Sequence, residues 1–528
     1  MRIYRTGAVV LFLAGISILA QTSASFDGKS WWNHIKFLAS DDLEGRDTGS
    51  EGLKKAEAYV VDHLKKNGIE PAGADGYYQA IHFVSRELDE SKSSLALVRD
   101  GRSETLVLGD DVLLSPRVDV APKIDAPLVF VGYGLRVPEA KIDDLAGVDA
   151  KGKVLVVFAG SPSTLSAALS AHYQSLAQRS QILKESGAIG YVTIPNPASM
   201  DIPWSRIKLS RLHPSMNYAD QSMNESRPSQ ISVYVNPASA EKLFAASGHT
   251  FDEIAALGKE RKPLPTFPLN LNLQATQTVN QKPVESANVV GKLVGSDPTL
   301  KNEYVVLSAH IDHIGIGEPI NGDKIYNGAM DNGSGTALLL DLADALPKLK
   351  PKRSILFVFV TGEEKGLLGS RYFAVHPTVP VKSMVADINT DMFLPIIPLK
   401  ILTVYGLAES DLGDDVVEAA KKEGVTAQAD PEPLRNIFIR SDQYSFIREG
   451  IPAVAMKVGF EKGSPEEKIN QNWLHERYHA PSDDVNQPVD LAAAGKFEDI
   501  VRDLTIKVAD DNRRPEWKSD SFFRRFAK

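Results

Sequence analysis

Apolar residues recur along the chain with two different periods. Between Glu51 and Lys66, Leu53, Ala56, Val60 and Leu64 return every three or four residues, the spacing that turns one face of a helix toward a core. Asn67-Gly68 supplies a C-terminal stop and Pro71 bars continuation. A strand-rich stretch follows, punctuated by turns at Asp100-Gly101 and Gly109-Asp110. Further on, the runs 304–309, 355–360, 384–388 and 401–405 are largely apolar throughout, as expected of strands buried on both faces of a sheet. Helical patterns occupy 335–346, 367–375, 411–423, 442–448 and 491–508. This alternation predicts an α/β fold, a three-layer sandwich around a mostly parallel central sheet.

Between about Pro116 and Pro268 the texture changes. Apolar strands are expected at 128–131, 154–158 and 189–194, the last closed by Pro195-Asn196-Pro197, since neither proline can continue a ladder. Residues 181–186 read as the end of a helix running into Gly187. The block 116–268 holds no His, Asp and Glu cluster at ligand spacing, and reads as a β-rich domain inserted into a main domain formed by 25–115 and 269–515. From Asp510 the chain is polar and expected to be peripheral, with 516–528 as a tail.

A length of 528 residues is too great for one ordinary core. The net charge of −9, with no long basic run, argues against a nucleic-acid partner. Arg2 and Arg5 precede the apolar stretch 8–20, and Thr22-Ser23-Ala24 offers small residues for cleavage, so 1–24 reads as an export signal. The alternative is a membrane anchor, for which the apolar run is short and lacks charges on its far side. The mature chain is expected in the periplasm or outside the cell, with no remaining segment suited to crossing a bilayer. Cysteine is absent, which excludes disulfides and thiolate ligands, so any metal must sit on His, Asp and Glu.

Such residues gather where strands end, the place where open α/β sheets bind ligands. One strand runs into His310-Ile311-Asp312-His313, another into Thr361-Gly362-Glu363-Glu364 and a third into Asn389-Thr390-Asp391. Met330-Asp331-Asn332-Gly333-Ser334-Gly335 precedes a helix, and Tyr478-His479-Ala480-Pro481-Ser482-Asp483-Asp484 lies in a later loop. Taken singly, Asp331 could merely cap its helix. Five ligands with one bridging carboxylate would hold two divalent ions, roughly 3.5–4 Å apart in such sites. Imidazole with carboxylate suits zinc, with manganese or cobalt as alternatives. The Glu363-Glu364 pair fits two tasks, one side chain on metal and its neighbour on the attacking water.

These segments resemble the di-zinc aminopeptidase family that includes secreted bacterial leucyl aminopeptidases, with glutamate carboxypeptidase and transferrin receptor as distant relatives. The likeness begins at Leu38-Ala39-Ser40-Asp41-Asp42-Leu43-Glu44-Gly45-Arg46. The inserted block resembles a protease-associated domain in Gly132-Tyr133-Gly134, Asp143-Asp144 and Lys151-Gly152-Lys153. The resemblance implies two zinc ions per chain and hydrolysis of the amino-terminal peptide bond through a zinc-bridging hydroxide. His310 and Asp391 would bind one zinc, Glu364 and His479 the other, with Asp331 as the bridge. Glu363 would be general base and acid, Asp312 would orient the His310 ring, and Tyr478 would donate to the oxyanion. The Asp331–Asn332 peptide would be cis. Arg440, Ser441, Asp442, Phe446, Val458, Gly459 and Phe460 are candidate pocket wall.

Other readings compete. His475-Glu476-Arg477-Tyr478-His479 fits the His-Glu-x-x-His pattern of single-zinc endopeptidases, although Pro481 ends any helix just beyond it. Under the favoured reading His475 and Glu476 are loop residues. A carboxypeptidase of the same fold, a single-zinc glutaminyl cyclase and a non-catalytic binding protein of the transferrin receptor type are the remaining alternatives.

Overall fold

The apolar runs form the middle of a ten-stranded sheet. The computed structural model describes residues 25–527 except Asp201, Arg227 and Asn436, so the expected signal segment 1–24 lies outside the described residues. Strands Ser354–Val360, Tyr304–His310, Met384–Asn389 and Ala453–Gly459 lie side by side in parallel. Antiparallel strands flank them, with Val279–Leu293 and Tyr78–Leu88 on one side and Ile401–Tyr405 on the other. Alternation along the central strands buries both faces. Val305, Leu307, Ile355 and Phe357 belong to one core, while Val306, Leu356 and Val358 point into another. Helices Lys29–Leu38, Glu51–Lys66, Ser334–Leu349 and Leu491–Asp510 cover the first face, and Leu368–Val375 with Gln443–Ile447 the second. The result is the three-layer arrangement expected, with a mixed rim around its parallel centre.

Local chemistry agrees with the periodicity. Glu51–Lys66 is a helix capped by Ser50, whose Oγ accepts from the Leu53 N–H at 3.1 Å. Gly187 ends Leu176–Ser186 in the left-handed conformation, at φ 70°.

A second, eight-stranded sheet draws its strands from Ser94–Arg99 through Thr266–Thr276, a span wider than 116–268. Leu128, Phe130, Val154, Val156 and Phe158 build its core. One strand of that span, Ser215–Tyr218, pairs instead with Tyr78–Leu88 of the large sheet, so the two sheets are stitched together through the backbone.

The C-terminal segment departs from expectation. Trp517 and Phe523 are buried with Tyr444, Ile447 and Ala453, and Trp517 Nε1 donates to the Gly450 carbonyl at 2.9 Å. Arg525 pairs with Glu139 of the second sheet's span. Four aromatic residues, at 517, 522, 523 and 526, explain the difference: the polar residues around them obscure an apolar anchor.

His172 sits at that junction, its Nδ1 2.9 Å from the Tyr444 hydroxyl and its ring 5.0 Å from that of Phe522. Burial, helped by Arg525 and Arg448, pulls its pKa down to about 4. The folded ring stays neutral while the unfolded chain takes up a proton below about pH 6.5, so stability present above that pH is lost as pH falls toward 4. The loss amounts to about 2–3 kcal/mol. Urea unfolding across pH 4–7 should therefore show a shallower pH slope for His172→Gln than for the wild type.

Candidate metal centre

The carboxyl ends of the parallel strands converge on one cluster. His310 closes its strand and is buried, with Nδ1 donating to the Asp312 backbone carbonyl at 3.1 Å. Its Nε2 therefore faces outward, 3.4 Å from Asp331 Oδ1 and 3.4 Å from Asp391 Oδ1. Asp331 reaches the other way as well, with Oδ2 3.3 Å from His479 Nε2. Glu364 Oε2 lies 3.3 Å from the same nitrogen. All five expected ligands thus gather around Asp331.

A third histidine joins them. His313 is fully buried, with Nδ1 2.7 Å from Glu364 Oε1 and 3.9 Å from Asp331 Oδ2. Two triads result, His310–Asp331–Asp391 and His313–Asp331–Glu364, each with its donor atoms within 4.8 Å of one another and both sharing Asp331. His313 Nε2 has no hydrogen-bond partner although it is buried. The only sequence signal for His313 is its place three residues after His310, and a second His at that spacing carries no motif of its own.

Asp312 acts on the site differently from the expectation. Its backbone carbonyl holds His310, while its carboxylate accepts from Thr48 Oγ1 at 2.9 Å and from the Glu363 N–H at 3.1 Å. The carboxylate fixes the backbone of the Glu363-Glu364 pair, and lies 3.9 Å from His310 Nδ1.

The Asp331 loop is anchored from several sides. Asp483 accepts the backbone N–H groups of Met330 and Asp331, at 2.9 and 3.0 Å. The Asp331–Asn332 peptide is cis. The Asn332 amide donates to Thr390 O at 2.9 Å and its oxygen accepts from Gly335 N at 2.8 Å and Met392 N at 3.2 Å, so the loops of Asp331 and Asp391 are held in register. Only glycine fits at 335, where a Cβ would stand 2.2 Å from the Thr390 carbonyl oxygen.

Charge follows geometry. Burial opposes ionisation of His479, but Glu364 and Asp331 raise its pKa to about 10. Burial likewise opposes the His310 charge, and Glu363, Asp331 and Asp391 still push it well up. Despite burial, Asp331 is held below the usual carboxylate range by His310, His313 and His479, and Glu364 by His479 and His313. Glu363 moves in the opposite direction, well above its ordinary value, because burial and the charges of Glu364, Asp442 and Asp391 outweigh His310. Burial and Asp331 push the Tyr478 phenol up, so it remains a hydrogen-bond donor. A cluster of imidazole and carboxylate donors balanced in this way suits borderline divalent cations, and zinc fits the donor set.

The site opens into a cleft of about 700 Å³ between the two sheets, where Glu364, Tyr478 and His479 face Arg206, Tyr234 and Tyr326. Among the candidate wall residues, Arg440 and Ser441 line a recess beside Asp391, and Val458 and Phe460 line its continuation. Asp442 is buried below the site, where burial and neighbouring carboxylates raise it to about 7. Phe446 is core, packed 5.9 Å from Phe373, because its short helix turns it under the sheet. Gly459 packs against Thr403 within the sheet.

His475 and Glu476 form the last turn of helix Pro465–Glu476 rather than a loop, and both are exposed. His479 lies beyond that helix in the left-handed conformation, at φ 54°. The two histidines therefore do not share a helical face, as the single-zinc pattern requires.

Residues 288–505 match Peptidase family M28. Over 38% of its length the chain is 27% identical to aminopeptidase Y of Saccharomyces cerevisiae, covering 35% of that protein. It is 31% identical to "Probable leucine aminopeptidase 2" of Aspergillus fumigatus, over 38% of this chain and 39% of that one. The chain thus spans between a third and two fifths of the length of these curated relatives. An aminopeptidase from Aneurinibacillus sp. strain AM-1 shares the fold, with a TM-score of 0.55 and 19% identity over 93% of this chain and 96% of that chain.

The shared carboxylate sets a stoichiometric expectation. Asp331→Ala should abolish high-affinity zinc binding at both triads, whereas Asp391→Ala should lose only one equivalent, as read by metal analysis after dialysis. Equal zinc content in the two variants would contradict a bridging Asp331.

Proposed function

We infer that this chain, whose residues 288–505 belong to peptidase family M28, is a zinc aminopeptidase that removes the first residue of peptides with a free amino terminus. The observation that carries the reading is the pair of donor triads sharing Asp331, with Glu363 lining the recess beside Asp331 and Asp391. His310, Asp331 and Asp391 would hold one zinc ion, and Asp331, Glu364 and His479, with His313 at the same pair of carboxylates, a second. Bound there, zinc supplies Lewis acidity at the scissile carbonyl and lowers the pKa of water.

The remaining chemistry belongs to the side chains. Glu363 takes the proton of the attacking water and delivers it to the leaving amine, the work of a carboxyl with a raised pKa. Asp312 holds the Glu363 backbone, so the base is fixed without using its own carboxylate. The Tyr478 phenol donates to the oxyanion that develops on the carbonyl. Asp331 and Asp391 face the space where the substrate's ammonium would lie, which confines cleavage to the chain end. Residues of the second sheet and its span, Arg206 and Tyr234 among them, wall the cleft by which a peptide would reach the site. The protein acts after export, in the periplasm or outside the cell.

Release of amino acids from short peptides tests the proposal. Peptides with free amino termini should be cut and acetylated ones spared. Glu363→Ala should lose about 10²–10⁴-fold in kcat while keeping its zinc. A fully active Glu363→Ala enzyme would sink the assignment of the base.

A further inference from the structure

Beside the metal ligands lies a recess whose charge does not suit an apolar side chain. About 50 Å³ in volume, it is lined by the carboxylates Asp331, Glu363 and Asp391, by the cations Lys457, Arg440 and Arg435, and by the apolar Met392, Ile437 and Leu474. It continues past Lys457 into a second space of about 30 Å³, whose outer wall carries Asp430 and Glu432. Arg435 is committed to that outer wall, its Nη1 donating to Glu432 at 3.0 Å.

Lys457 is the unusual member. It occupies the strand Ala453–Gly459, whose neighbours Val454, Met456 and Val458 are core residues. Its ammonium forms no hydrogen bond or ion pair with any described residue. Lys457 is half-buried, burial lowers its pKa, and only the charges of Asp391 and Asp331 favour its ionised form. A ligand that brings an anion into direct contact therefore offsets the remaining cost. Arg440 flanks it from the loop 437–440, which contributes no expected metal ligand.

We propose that this recess binds a carboxylate of the substrate. On the aminopeptidase reading, on which the assignment rests, that group is the side-chain carboxylate of an amino-terminal Glu or Asp. The first residue's side chain must lie within a few ångströms of the metals, because its own amine and carbonyl are held there. The apolar stretch Met392–Ile437–Leu474 then receives the methylenes, and Lys457 with Arg440 receives the charge. In a carboxypeptidase the same cations would instead receive the terminal carboxylate.

The test compares Glu-, Gln- and Leu-initiated peptides, and acetylated peptides of the same sequences, with zinc-loaded wild type, Lys457→Met and Arg440→Gln. Glu over Gln should be favoured about tenfold or more in kcat/KM by the wild type, as for one charge-assisted hydrogen bond. Both variants should lose most of that ratio, and Arg440→Gln, on a surface loop, serves where Lys457→Met fails to fold. A wild type that cuts Leu and Gln peptides as well as Glu peptides overturns the recess assignment and leaves the aminopeptidase reading standing. Cleavage of acetylated peptides from the carboxyl end, weakened by both substitutions, keeps carboxylate binding and overturns the amino-terminal polarity. If no peptide is cut, calorimetry of L-glutamate against L-glutamine decides separately. Tighter glutamate binding that Lys457→Met abolishes upholds the recess, and equal binding rejects it.

Discussion

Crowding of carboxylates at one edge of the sheet is the constraint to which the surrounding structure answers. Asp312, Asp331, Glu363, Glu364, Asp391, Asp442 and Asp483 meet there, buried or half-buried. Two like charges 4 Å apart repel by about 4 kcal/mol at the effective dielectric of a protein, so the cluster needs cations among it and holds some of its carboxyls, Glu363 and Asp442 among them, toward the protonated form. The three histidines supply part of that balance and Arg46 another part. Arg46 is buried, and burial lowers its pKa to about 10 even though Asp483, Asp331 and Asp312 favour its charge. Its guanidinium donates to the carbonyls of Leu38, Ile311, Asn327 and Gly328. One cation thus ties the opening segment to the His310 strand end and to the start of the ligand loop. Asp483 takes the N–H groups on the far side of that loop. Asp331 is held between a buried cation and a buried anion, and its direction is set before any metal arrives.

The second sheet takes part in that preorganisation. Arg206 reaches from it to the loop that carries Tyr478 and His479, donating to Tyr478 O at 3.0 Å and Glu476 O at 3.3 Å. His479 has a left-handed backbone, a conformation uncommon for a residue that carries a Cβ. Because Ser215–Tyr218 belongs to the large sheet, the Arg206 segment cannot drift far from that loop. A block whose sequence holds no ligand cluster therefore still shapes the metal site, through backbone carbonyls that no residue pattern records.

Much of the architecture could be read in advance because burial on both faces leaves an unbroken apolar run. The strands at 304–310, 354–360, 384–389 and 401–405 all show it. Ala453–Gly459 escaped because Gly450-Ile451-Pro452 reads as a turn and Lys457 interrupts the run that follows. The five expected ligands were visible as residues at strand ends, and the structure brings them around one carboxylate. His313 was in plain view but without a role, since its partner Glu364 lies 51 residues away. The buried tail failed for a related reason: Phe523 packs on Tyr444 and Ile447, contacts that local composition does not encode.

The division of labour within the site follows from where each part originates. The candidate ligands and the proposed base come from strand ends and from a loop clamped by Arg46 and Asp483, positions that tolerate little displacement because each is tied to backbone. The recess is built otherwise. Lys457 projects from a strand that supplies no expected ligand, and Arg440 from a loop held by its own short turns. On the proposed reading, changing the charge of either alters what the recess accepts, and Lys457 also acts on Asp391 through its charge. On that reading the candidate metal core is set by the sheet edge, and the selectivity of the site by the side chains of Lys457 and Arg440 that line its recess.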